Sequence, residues 1–200
     1  MALLPGFRDT VFDSQRVFRT ALTAMARPGQ PQRLDHGQGE RLEIPCIDGI
    51  HAASLAWLLA LADIDTPVWI ETQCHTEEFR RYLRFHTGAE ITPTRQAAYF
   101  GLFREGYDGA FFADFPVGSD DYPNRSATLI IQVADLTSGP PRTVRGPGIR
   151  TTVDLCIAAI APHFWDAWRA NQALYPCGVD VVFTAGDMCM GLPRSITEET

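Results

Sequence analysis

The sequence predicts an α/β fold, a layered sheet folded as a single domain over residues 1–200. Three observations predict it. Segments with strand character alternate with segments of helical period, the pattern of a sheet covered by helices. Ala127-Thr-Leu-Ile-Ile-Gln-Val133 is apolar on nearly both faces, as a central strand covered on each side should be. With 46% of residues hydrophobic and 20% charged, the chain can bury one sizeable core and lacks the signature of disorder. Neither internal repeats nor a low-complexity linker divides it.

From Thr10 to Ala26 the residues Val11, Phe12, Phe18, Leu22 and Met25 recur at helical spacing, and Arg27-Pro28-Gly29 supplies the stop, so an amphipathic helix is expected. Residues 30–43 mix Gly, Pro and polar groups and read as a loop with at most a short strand. Residues 49–62 form a strongly apolar helix around Leu55, Trp57, Leu58, Leu59 and Leu61, and its missing polar face points to deep burial. A short strand follows over 67–72. Thr76 then caps a helix with Glu77 and Glu78 in its first turn, arginines further on and Gly88 past its end. Residues 97–103 read as a strand, 105–115 as a short helix or loop, and Pro116, Gly118, Pro123 and Asn124 mark turns. After the strand at 127–133 a Gly/Pro break at 138–141 leads to Arg145-Gly-Pro-Gly-Ile149, an apolar segment over 153–160 and a helix over about 163–174. A strand over 179–184 closes the series.

The composition excludes several classes. The formal net charge of -7 argues against general nucleic-acid binding, which needs a basic surface to displace counterions from phosphates. No stretch approaches the roughly 20 apolar residues of a membrane span, and the Met-Ala-Leu-Leu start lacks the marks of a signal peptide, so a cytoplasmic protein is expected. The five cysteines, Cys46, Cys74, Cys156, Cys177 and Cys189, are odd in number and widely spaced, which suits reduced thiols. All seventeen basic residues are arginine. Without lysine no side-chain Schiff base and no Walker-type phosphate loop can form. His36, His51, His75, His86 and His163 show no ligand-like spacing, so no metal site is expected. Cys-x-x-Cys and Gly-x-Ser-x-Gly are both absent, which removes iron-sulfur and hydrolase-elbow chemistry.

Two local patterns stand out. Gly146-Pro147-Gly148 fits a type II turn, with Pro at the second position and Gly at the third, where positive φ is needed. The sharper reading makes Arg145, Gly146 and Gly148 a phosphate or phosphonate cradle, although Pro147 removes one donor from it. Asn171, Asp180 and Arg194 surround the last helix and strand, where polar groups could face a cleft. Asp180 lies among Val179, Val181 and Val182 and needs a partner if buried, so a structural ion pair is favoured over a catalytic acid. Arg16, Arg19 and Arg27 read as a solvated helix face.

Several blocks together resemble the PhnH family of the carbon-phosphorus lyase system. They are Pro5-Gly-Phe7, Ser14-Gln15 with Phe18-Arg19, Ala24-Met-Ala-Arg-Pro-Gly29, Leu61-Ala-Asp63, Asp65-Thr-Pro-Val-Trp69 and Leu83-Arg-Phe-His-Thr87. The likeness continues through residues 127–133, Gly146-Pro-Gly-Ile149, Asn171, Gly178-Val-Asp180 and Leu192-Pro-Arg194, in order and over almost the whole chain. Cys177 and Ser195 depart from the family, which more often has a larger apolar residue and Thr there.

The resemblance implies a three-layer sandwich, a central mixed sheet flanked by helices, similar to the large domain of pyridoxal-phosphate transferases but without that cofactor. It implies a component that joins subunits G, I and J of the carbon-phosphorus lyase in a core complex and forms a homodimer. With G, I and L such a component supports formation of α-D-ribose 1-methylphosphonate 5-triphosphate from ATP and methylphosphonate, with release of adenine. An accessory role is favoured. The alternative is a catalytic contributor whose anion site is built from Arg145, Gly146, Gly148 and Arg194, with Asn171 and Asp180 as further cleft residues; no catalytic residue carries over from the family.

Overall fold

Nine strands and four α-helices make up the described parts, residues 4–35, 40–110 and 112–199, of the computed structural model. His36 and the first three residues lie outside them. Helix α1 (Thr10–Ala26) starts where the Asp9 carboxylate accepts from the backbone N–H of Val11 and Phe12 at 3.0 and 2.9 Å. The short strand β1 (Gln32–Arg33) precedes α2 (Ala52–Leu61), whose residues 53–58 are all buried. After β2 (Val68–Ile70), Thr76 caps α3 (Glu77–Thr87) by accepting from Phe79 N at 3.1 Å. Gly88 ends that helix in the left-handed region at φ 73°. Strand β3 (Phe100–Phe103) leads into a loop holding a 3₁₀ turn at Phe112–Asp114, where the sequence allows either a helix or a loop. Phe111 of that stretch is outside the described residues.

Next come β4 (Thr128–Gln132), β5 (Pro141–Arg145), β6 (Val153–Cys156), α4 (Pro162–Gln172), β7 (Asp180–Ala185), β8 (Met188–Leu192) and β9 (Thr197–Glu198). The series therefore does not close at residue 184, because β8 and β9 follow it. These two, together with β5, carry little local strand signal: β8 is interrupted by Gly191, β9 is two residues long, and β5 is polar and partly exposed.

The main sheet has the order β1-β8-β7-β4-β3-β2. Strands β2, β3, β4 and β7 run parallel, while β8 and β1 add antiparallel strands at one side, so the sheet is mixed. Leu102, Ile130 and Val182 stand in one row across it and bury with α1, α2 and α3. The next row, Phe103, Ile131, Phe183 and Met190, points the other way and buries with Phe164, Trp165 and Trp168 of α4. A second sheet, β6-β5-β9, shares that side through Val144 and Leu155. Three layers result. Glu198 of β9 ties the small sheet to α4, accepting from Arg142 Nη1 at 3.1 Å and Arg169 Nη1 at 2.5 Å.

Candidate functional site

The β7–β8 hairpin sets Val181 opposite Leu192, which carries Asp180 and Arg194 to the same end of the sheet. There Asp180 Oδ1 accepts from the Arg194 backbone N–H at 2.8 Å and from its Nε at 3.1 Å, while Oδ2 accepts from Nη2 at 2.5 Å. Arg194 Nη1 donates to the Pro123 carbonyl at 2.8 Å and Nη2 to the Ser126 hydroxyl. Side-chain exposures of 14% for Arg194 and 19% for Asp180 place the pair largely out of water. With its guanidinium donors committed inside the fold, Arg194 fastens the β7–β8 end to the 123–126 turn. An open depression of about 350 Å³ lies over the pair, with Tyr175, Pro176, Asn124 and Ser195 among its walls.

Asn171, 3% exposed at the end of α4, acts as a backbone mimic. Its Nδ2 donates to Val179 O at 2.9 Å and its Oδ1 accepts from Val179 N at 2.8 Å, clamping the entry to β7. One wall of a separate apolar pocket of about 330 Å³, between α4 and the 109–117 loop, includes the same residue.

The turn at Gly146–Ile149 closes through Ile149 N to Gly146 O at 3.1 Å, with Gly148 at φ 84°. This is the type II geometry, and it packs tightly. A Cβ on Gly148 would lie 2.1 Å from the Ala26 carbonyl oxygen at the end of α1, and one on Gly146 would lie 2.9 Å from Ser195 O. Arg145 points instead to Glu199, at 3.6 Å, with 66% of its side chain exposed. The structure thus brings the glycine turn beside the 195–196 segment but sends the two arginines to different carboxylates.

The outer face of α1 is the feature that sequence periodicity alone does not orient. An amphipathic helix ordinarily turns its large apolar stripe to the core. Here Asp13, Val17, Ala21 and Ala24 are the buried residues, whereas Val11, Phe12, Phe18 and Leu22 are 72%, 58%, 47% and 54% exposed. The reason is steric. Gly191 of β8 lets the helix backbone approach so closely that a Cβ there would stand 2.6 Å from Ala24 O, leaving room only for small side chains beneath. Arg16, by contrast, reaches back to buried Asp13 at 3.2 Å.

Among the described residues no group of three or more His, Cys, Asp or Glu side chains could hold a metal ion, and no helix is long and apolar enough to cross a membrane. The five cysteines are free thiols. Burial pushes the Cys74 and Cys189 thiols up to about 11.

Comparison with known proteins adds the family. The family described as "Bacterial phosphonate metabolism protein (PhnH)" matches residues 5–199. A protein of Rhizobium meliloti (strain 1021) named alpha-D-ribose 1-methylphosphonate 5-triphosphate synthase subunit PhnH is 36% identical over 190 residues, covering 95% of this chain and 92% of its own. HtxG of Stutzerimonas stutzeri, named provisionally as a C-P lyase subunit protein, is 26% identical over 183 residues, covering 90% of this chain and 83% of its own.

Proposed function

The chain belongs to the PhnH family of bacterial phosphonate metabolism proteins, and from that premise we propose that it serves phosphonate breakdown as a cytoplasmic subunit of an α-D-ribose 1-methylphosphonate 5-triphosphate synthase. In the proposed reaction methylphosphonate displaces adenine from ATP. The chain contributes surfaces that organise subunits G, I and L, within an assembly that also holds J, rather than the reacting groups.

The observation that carries this reading is the outward apolar face of α1. Phe18 and Leu22 are i, i+4 neighbours on α1, Val11 lies two turns before Phe18 on the same side and Phe12 is exposed beside it, and exposed large apolar side chains gathered on one helix suit a protein-protein surface. A partner subunit covers it in the assembly, and a second copy of the chain covers it when the chain is alone. The alternative, a catalytic contributor with an anion site, is the weaker reading because Arg194 spends its donors on Asp180, Pro123 and Ser126.

The sheet between two layers suits the proposed kinship with the large domain of pyridoxal-phosphate transferases. The cofactor does not fit this chain, because all seventeen basic residues are arginine and no side chain can form its Schiff base.

The test is co-expression of the chain with its partner subunits, followed by native mass spectrometry, using wild type and Phe18→Asp/Leu22→Asp. Incorporation of wild type and exclusion of a folded double variant is expected. A double variant that assembles normally would overturn the docking role of α1.

A further inference from the structure

A cationic face on α3 belongs to neither the Asp180–Arg194 pair nor the apolar face of α1. The chain carries a net charge of -7, yet Arg80, Arg81 and Arg84 stand within little more than one turn of that helix. Phe79, Tyr82 and Leu83 take its buried side, and the arginines line a hollow of about 170 Å³ that Glu77 completes. Their charge is largely unspent. Arg80 Nη1 meets Glu77 Oε2 at 3.3 Å, but that carboxylate is 84% exposed, and Arg80 Nε has no acceptor among the described residues. Arg81 and Arg84 are exposed, and among the described residues neither has a carboxylate within ion-pair reach. Arg84 also repels Arg80 at i, i+4 and Arg81 at i, i+3, a repulsion that a bound anion removes.

Guanidinium forks suit carboxylates, which accept two parallel N–H donors. Two features favour carboxylates carried on a polypeptide over a free anion. Phe85, at i+4 from Arg81, is 72% exposed and offers an apolar contact that an inorganic anion cannot use. Glu77 in the wall repels a compact dianion. Position joins this face to α1. Tyr82 Oη donates to Pro5 O at 2.9 Å and His86 Nε2 donates to Leu4 O at 3.0 Å, while the His86 and Phe85 rings meet edge to face with centroids 5.0 Å apart. From that anchorage the chain runs directly into α1, where Val11 and Phe12 are exposed. Both helices also cover the same face of the main sheet, so one partner can span them.

We propose that Arg81, Arg84 and Phe85 dock an acidic, partly apolar segment of the partner subunit that covers α1. That the occupant is a subunit of the assembly rests on the function proposed above; that it is anionic rests on α3 alone. Exposed charge pairs add little affinity one at a time, but together they speed encounter and select the partner.

The experiment is surface plasmon resonance of the purified full chain on its co-expressed partner subunits at about 50 and about 300 mM salt. Arg81→Glu/Arg84→Glu should weaken binding about tenfold or more at the lower salt, chiefly by slowing association, and Arg81→Gln/Arg84→Gln and Phe85→Ser should weaken it less. Melting temperatures should stay near wild type, because all three side chains face solvent; if charge reversal harms the helix, the glutamine variant carries the test. Wild-type binding should weaken as salt rises, and the charge-reversed variant should lose that dependence. Folded arginine variants that bind like wild type with the same salt dependence overturn the proposal while leaving α1 in place. Loss of self-association alone overturns it in favour of a second copy. So does saturable binding of inorganic phosphate that Phe85→Ser leaves unchanged, in favour of a small anion. Normal binding by Phe18→Asp/Leu22→Asp beside weakened arginine variants removes the role of α1 and keeps that of α3. Wild type that binds no partner subunit overturns both readings.

Discussion

Arg194 grips Asp180 twice over, with its backbone N–H and with two nitrogens of its guanidinium. Removing one partner strands the other charge in a largely dry site. Arg194→Ala and Asp180→Ala should each cost about 3 kcal/mol, the low end for a buried pair because both side chains keep some exposure. The double variant should recover part of the loss. Arg194→Lys should not restore stability, since a point charge cannot reproduce the two-pronged contact. Urea unfolding of the four variants checks this, and a loss below about 0.5 kcal/mol in both single variants would show the pair to be idle.

The turn separates a conformational demand from a charge. Gly148→Ala imposes strain at φ 84° and sets a methyl 2.1 Å from Ala26 O, so it should cost well over the ~1 kcal/mol of the turn alone. Arg145→Ala should stay within about 0.5 kcal/mol of wild type and leave the reconstituted synthase unchanged, because its Glu199 contact is exposed. An unchanged melt with activity down about tenfold would return Arg145 to the active site.

The two faces of α1 should respond oppositely to the same substitution. Val17→Asp puts a charge where 1% is exposed and should unfold the domain, whereas Phe18→Asp meets solvent and should leave the melting temperature of the isolated chain near wild type. Sedimentation should show wild-type self-association at micromolar concentration, abolished in Phe18→Asp. Wild type found only as monomer would count against the apolar face as a pairing surface.

The buried thiols set an alkaline limit. Cys74 and Cys189 rise from an ordinary 9.0 to about 11, chiefly through burial, so the fold favours their neutral forms. A raised folded value means the contribution is complete below pH 9 and fades as pH climbs toward 11. The melting temperature should fall over that window, and less so in Cys74→Ala/Cys189→Ala. At pH 8, exposed Cys46 should alkylate long before either. Cys74 or Cys189 labelling as fast as Cys46 in the folded protein would refute the assignment.

Much of the fold was legible because its signals are local. The Thr76 cap, the acidic first turn and Gly88 bracket the eleven residues of α3, and the doubly apolar run around Ile130 and Ile131 marks the central strand. The type II turn was equally readable, since Pro147 and Gly148 carry their own φ preferences. The partner of Asp180 was only half legible. Burial among valines demands a counterion, but nothing local says that Arg194, fourteen residues on, supplies it.

By itself the sequence located the four helices and the strands β2, β3, β4 and β7, and its lack of lysine excluded a side-chain Schiff base. Only the tertiary structure decided direction. It turned Phe18 and Leu22 outward, because Gly191 draws α1 down onto β8 and favours small side chains such as Ala21 and Ala24 at the closest approach. It spent Arg194 on Asp180, and it locked His51 through Thr184, 133 residues away in the chain. Periodicity measures how much apolar surface a segment carries. What that surface meets is set by the atoms across the gap, which come from distant parts of the chain and carry no local signal.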